Sequence, residues 1–324
     1  MKTTFYRGVA VVLTAFCAAG ATWASDAYPS KPIKIIVTSA PGGLLDNMTR
    51  LVARQMGDKL GQPVIIENRV GAGGLVAIRG AKSSPADGYT LLASMSTIAI
   101  QPAVMQEPGY DLLKDFTGVG SMLRTPLLMM VAPSQGAKNM GELVAEAKSQ
   151  PGKISYASAG IGTSTHIGPA LFLQRANVDM MHVPYKGNAS AWPDVISGRV
   201  SMIFEPYGSA APMMRDNRLK PLAVSSSHRL EALPDVPTIA EQGLPNFSYY
   251  IWAGLFAPTG TPKDAIQKLS VALQAALNSP DMKERMRTEG SEALTMPPDE
   301  FNQFVVRESA SIFKAVTDLK IPKQ

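Results

Sequence analysis

The chain has 324 residues, 45% of them hydrophobic and 18% charged, with 31 Lys and Arg against 26 Asp and Glu for a formal charge of +5. This is the composition of a globular protein too long for one hydrophobic core, so two lobes are expected. No run of consecutive basic residues accompanies the charge, which argues against nucleic acid as a partner.

In chain order the first element is a targeting segment. Lys2 and Arg7 precede an apolar, small-residue run over 8–21, and Thr22-Trp23-Ala24 ends it on a small residue. Residues 1–24 therefore read as a secretory signal peptide cleaved near Ala24, which places the mature protein in the periplasm. The run is too short for a comfortable membrane span. Cys17, the only cysteine, falls within it, and Phe16 stands where a lipoprotein signal wants a small residue. The exported chain then has no disulfide, thiol nucleophile or cysteine metal site. Its 29 basic and 26 acidic residues leave a charge of +3.

Strand-like and helix-like segments then alternate. Strands are predicted at 34–37, 64–67, 90–93, 127–131, 154–157, 180–183, 201–204 and 220–224, and helices at 46–60, 77–83, 140–149, 166–174, 189–197, 262–277 and 298–319. The pattern predicts an α/β fold with parallel sheets and helices on both faces. Pro297-Pro298 suits the first turn of the last helix, and Phe301, Phe304, Val305, Ile312, Phe313 and Val316 form its apolar stripe.

Two corners within this pattern carry chemistry. Ser158 ends a strand, Gly160-Ile161-Gly162-Thr163-Ser164-Thr165 turns, and a helix begins at His166. Glycines followed by hydroxyl residues at a helix start leave N–H groups free where the helix dipole favours negative charge, which makes a small anion site. Thr163 or Ser164 is equally an ordinary helix cap. A second corner of the same design runs from 34–37 through Ser39-Ala40-Pro41-Gly42-Gly43 to a helix with Met48, Leu51, Val52, Met56 and Leu60 at helical spacing. Facing each other, two such corners hold the two ends of a dicarboxylate.

Eight ordered motifs carry a family resemblance. They are Tyr28-Pro-Ser-Lys-Pro-Ile33; Pro41-Gly42-Gly43 with Asp46 and Arg50; Leu60-Gly-Gln-Pro-Val64 with Glu67-Asn-Arg69 and Gly71-Ala-Gly-Gly74; Asp87-Gly-Tyr-Thr-Leu91; Gly162-Thr-Ser-Thr-His166; Val183-Pro-Tyr-Lys-Gly187; Leu233-Pro-Asp-Val-Pro-Thr238; and Ala257-Pro-Thr-Gly-Thr-Pro262. Across essentially the whole mature chain the sequence resembles a Bug-type periplasmic solute-binding protein, the receptor of tripartite tricarboxylate transporters. The resemblance implies a type II periplasmic-binding-protein fold, two α/β lobes with a ligand cleft between them. Lobe 1 would be 25–124 plus 250–324 and lobe 2 would be 125–249, with crossings at Arg124–Thr125 and Tyr249–Trp252. It further implies a monomer that takes a small organic carboxylate through both corners and partners the transporter's membrane subunits. One departure is Thr38-Ser39-Ala40, where family members commonly carry Phe before Pro-Gly-Gly, so this end of the cleft should be roomier. Leu44-Leu45 is also more apolar than the small polar pair expected there.

Candidate ligand-binding residues are Gly42, Gly43, Leu44, Asp46, Ser94, Ser96, Thr97, Ser158, Gly162, Thr163, Ser164, Thr165, Tyr185 and Glu205. Asp46 either complements the dipole of its helix or holds a water against the ligand. Ser94, Ser96 and Thr97 follow a strand and offer hydroxyls; Tyr185 and Lys186 reach the cleft or shape its rim. Glu205 suits a ligand amino group or the bonding of its own turn. Gly71-Ala72-Gly73-Gly74 lacks the last glycine of a dinucleotide fingerprint and reads as a tight turn needing positive φ. No cofactor is expected. The three histidines, His166, His182 and His228, have no metal-ligand spacing, and Ser164 and His166 diverge at a helix start rather than forming a catalytic pair. A periplasmic enzyme acting on a small acid and a receptor for a sensor kinase are the alternatives.

Overall fold

The structure, a computed structural model, describes residues 28–324; the signal segment and Cys17 lie outside the described residues. The chain runs β1 (Ile33–Val37), α1 (Leu44–Leu60), β2 (Val64–Asn68), α2 (Leu75–Lys82), β3 (Thr90–Met95), α3 (Thr97–Val104), α4 (Leu112–Asp115) and the long β4 (Phe116–Val131). It continues with α5 (Met140–Ser149), β5 (Ser155–Ser158), α6 (Ser164–Ala176), β6 (Met181–Pro184), α7 (Trp192–Ile196), β7 (Met202–Pro206), α8 (Tyr207–Arg215) and β8 (Lys220–Val224). It closes with β9 (Tyr250–Pro258), α9 (Lys263–Leu277), α10 (Pro280–Thr288), β10 (Glu292–Ala293) and α11 (Pro298–Asp318).

This is a two-lobed α/β fold of the type II periplasmic-binding-protein kind, and β4 connects its halves. From Phe116 to Pro126 β4 pairs with β9; from Leu127 onward it pairs with β7 on one side and β8 on the other. The first sheet has the order β2-β1-β3-β9-β4, and β5 and β6 continue beyond β7 in the second. The expectation of parallel sheets therefore needs correction. β1 is parallel to β2 and β3, and β5 to β6 and β7, whereas β9 is antiparallel to β3 and β4. In the first sheet β9 runs against β1–β3 and β4, and in the second β4 runs against β7 and β8.

Each sheet is covered on both faces because strand side chains alternate. Ile33, Ile35 and Val37 pack with Met48, Val52 and Met56 of α1 and Leu269 and Leu273 of α9. Ile36 points the other way, into a cluster with Ile78, Trp252, Phe256 and Phe301. In the second sheet Leu127 and Met129 face α5 and α6, while Leu128 and Met130 face α7 and α8. A smaller cluster of Ile100, Val104, Ile167 and Val316 joins α3, α6 and α11, so apolar burial holds the lobes together beside the crossings. No helix among the described residues is long and apolar enough to cross a membrane.

Candidate functional site

A cleft of about 970 Å³ lies between the two sheets. Its second-lobe wall is the turn from β5 into α6, residues 159–165, with Tyr185 and Lys186 beside it. Its first-lobe wall is formed by Thr38 and Ser39 after β1, Gly71–Gly73, Met95, and Thr97, Gln101 and Val104 of α3. Ile251 from β9 forms part of the lining at the crossing.

The turn into α6 is built so that its side chains bond inward and its amides stay open. Gly160 and Gly162 have φ of +127° and +74°, a region closed to most L-residues. Thr163 donates to the Gly160 carbonyl at 2.7 Å, and Thr165 Oγ1 accepts from the Ala159 amide at 3.0 Å while donating to Asn188 Oδ1 at 3.1 Å. Ser164 Oγ meets Ser96 Oγ at 2.9 Å, a buried bond between lobes. With these hydroxyls engaged, the Ser164 and Thr165 amides have no partner among the described residues. They are orphan donors at the positive end of a 13-residue helix.

Beneath the turn lie two histidines and a carboxylic acid. The rings of His166 and His182 stack at 4.0 Å with Tyr156 beyond, His166 Nδ1 accepts from the Gly162 amide at 3.2 Å, and His182 Nε2 is 2.7 Å from Ser158 Oγ. Burial pushes both imidazoles down to about 4, for His166 with the neighbouring ring adding to it, so they are neutral hydrogen-bonding groups at neutral pH. Asn188 donates to Glu205 Oε2 at 2.6 Å and to the Phe204 carbonyl at 3.2 Å. Through Asn188, buried Glu205 is two hydrogen bonds from Thr165, and burial raises its carboxyl to about 7.

Of the predicted residues, Thr97, Gly162, Thr163, Ser164, Thr165 and Tyr185 line the cleft. Three more support that lining from behind: Ser96 through Ser164, Ser158 through His182 and the Gly160 amide, and Glu205 through Asn188. Tyr185 is held by its hydroxyl to Asp194 at 2.5 Å. Ser94 is buried in β3 and bonds to the Met95 carbonyl at 3.2 Å. The first Gly-Gly corner stands at the rim: Gly42 and Gly43 are exposed and Leu44 half-buried. Asp46 is inside that corner, where its oxygens take the Gly42 amide at 2.8 Å, Arg50 Nε at 2.9 Å and Asn68 Nδ2 at 2.8 Å. Burial opposes its charge, but those hydrogen bonds outweigh the penalty and hold its pKa below the usual value. Asp46 thus latches the corner, with both oxygens engaged.

Several lining residues escape the sequence reading. Ser39 Oγ is buried beside the cleft without a hydrogen-bond partner among the described residues. Gly71–Gly73 form the wall opposite α6, fixed by Gln101 Nε2 on the Gly73 carbonyl at 2.8 Å; the glycine cluster was the visible signal for them. Met95, Val104 and Ile251 come from segments with no motif. Among the described residues, no group of three or more His, Cys, Asp or Glu is arranged to hold a metal ion.

Comparison with known proteins agrees with this geometry. A profile of the family described as "Tripartite tricarboxylate transporter family receptor" matches residues 48–319. The protein BugT of Bordetella pertussis is 33% identical over 310 residues, 95% of each chain. An R. palustris protein solved with adipate is 29% identical with a TM-score of 0.84, covering 92% of this chain and all of the other. MatC from Rhodopseudomonas palustris, solved with bound malate, is 30% identical with a TM-score of 0.79, covering 89% of this chain and all of the other.

Proposed function

Because the chain belongs to the tripartite tricarboxylate transporter receptor family and is a Bug-type solute-binding protein, we propose that it captures a small organic carboxylate in the cleft between its lobes and delivers it to the membrane subunits of such a transporter. The single observation that carries this reading is the pair of amides of Ser164 and Thr165 at the start of α6, without a partner among the described residues and open to a cleft in which Lys186 is the one charged side chain among them. Amides at a helix start bind an anion without a change of protonation, and among the described residues no carboxylate side chain lines the wall to repel it.

In this reading the lobes divide at 124/125 and 249/250, close to where β4 exchanges β9 for β7 and β8. Thr38 and Thr97 supply hydroxyls from the opposite wall. Removal of the signal peptide near Ala24 and release into the periplasm complete the reading, and the captured acid leaves chemically unchanged. The adipate and malate found in similar proteins support a carboxylate as the ligand. Native mass spectrometry of protein freshly released by osmotic shock is the test. A folded chain beginning near Ser25 and carrying an organic acid that appears on denaturation is expected; a chain modified by lipid, or a cleft retaining only a neutral or cationic molecule, contradicts the reading.

A further inference from the structure

We infer that the acid this cleft selects has an unsubstituted carbon body, aliphatic or aromatic, and that Ile161 reads that body; the inference rests on the carboxylate-receptor reading above. Anion binding needs only the α6 amides and Lys186, yet the rest of the lining is largely hydrocarbon. Met95, Val104, Met105 and Ile251 bring apolar surface from β3, α3, the residue after it and β9. Ile161 is the telling member. It is 39% exposed, lies between two glycines of positive φ, and adjoins the same turn that presents the amides.

An apolar side chain exposed at that point gains from being covered by hydrocarbon and gains nothing from a hydroxyl, which would give up its water without replacement. Beside the α6 amides the polar side chains are committed elsewhere: the hydroxyls of Thr163, Ser164 and Thr165 are engaged within the protein, and Gln101 Nε2 is spent on the Gly73 carbonyl. On the opposite wall the Thr38 and Thr97 hydroxyls have no partner among the described residues; a second carboxylate would occupy them, which leaves little for a polyhydroxylated acid.

Calorimetry with the straight-chain α,ω-dicarboxylates of four to eight carbons, with benzoate, and with malate as the hydroxylated counterpart of the four-carbon acid tests this directly. Each methylene that the cleft covers is worth up to about fourfold in Kd, so affinity is expected to climb along the series, and malate is expected to bind more weakly than its unsubstituted counterpart. In Ile161→Ser the six- to eight-carbon acids and benzoate should weaken by about tenfold while the four-carbon acid is unchanged, which a general loss of structure would not produce. A flat or falling series, malate as the tightest ligand, or equal weakening of all acids in Ile161→Ser overturns this inference and leaves the receptor reading standing. Binding by none of the acids to ligand-stripped protein, with its melting curve intact, overturns the receptor reading itself and this inference with it.

Discussion

Glu205 is a carboxylic acid sealed behind the cleft, 4% exposed, with Asn188 as its nearest polar partner. Burial moves its pKa from 4.5 to about 7, so the folded chain holds this proton more tightly than the unfolded chain. Its contribution to stability is therefore complete below pH 4.5 and falls as pH rises from 4.5 through 7, by a total of about 3 kcal/mol. Glu205→Gln keeps an oxygen for Asn188 and has no charge to bury. It is expected to melt close to the parent at pH 4.5 and several degrees above it at pH 8, by calorimetry at both values; parallel pH dependence in the two proteins contradicts this account of Glu205. The sequence marked Glu205, Thr165 and Ser164 as cleft residues without showing which way they turn. Their side chains bond to Asn188 and Ser96 within the protein, so the donors left for a ligand are amides, and amides carry no residue-type signal.

At the scale of elements, the turns that start α1 and α6 read alike in sequence and differ in what surrounds them. A Cβ at Gly43 would meet only the Ala40 carbonyl at 3.6 Å and Ser39 Oγ at 4.0 Å, and its φ is −74°. At Gly162 φ is +74° and a Cβ would collide with Val104 of α3, across the lobe junction. Gly162→Ala is expected to destabilise the protein by about 1–3 kcal/mol and to weaken acid binding at least tenfold by displacing the α6 amides, whereas Gly43→Ala should lose no more than about 1 kcal/mol of stability. Denaturant titration together with calorimetric titration checks both; a Gly162→Ala variant as stable and as tight-binding as the parent would remove α6 from the site. Legibility of the elements followed the clarity of their period. α5 and β8 match their predicted bounds, and Gly71, Gly73 and Gly74 take the positive φ expected of their turn. α3 and α8 were not legible, since each carries an internal proline, Pro102 and Pro212, and α3 is apolar nearly all round. The first half of β4, with Gly118 and Gly120 at a register shift against β9, lacks a clean alternation.

At the scale of the molecule, β4 and β9 are the two strands at the crossing, and β9 also reaches the cleft. Alternation along β9 puts Ile251 into the cleft and Tyr250 and Trp252 into a separate cavity of about 390 Å³ behind it, where Trp252 Nε1 donates to Glu308 at 3.1 Å. Trp252 thus touches the hinge rather than the ligand, and a change in its fluorescence on binding would report lobe movement. The two-lobe arrangement was legible from chain length and from the order of the motifs. The antiparallel course of the crossing strands was not, because a strand's direction depends on partners distant in sequence. If the amides of Ser164 and Thr165 receive a carboxylate as the lobes close, a crystal structure of the protein with its retained acid will show it. Expected are one carboxylate within hydrogen-bond distance of both amides, the carbon body against Ile161, and the lobes rotated toward each other about the Pro126–Leu127 region of β4; an acid bound away from α6 would rule the α6 amides out as the carboxylate site.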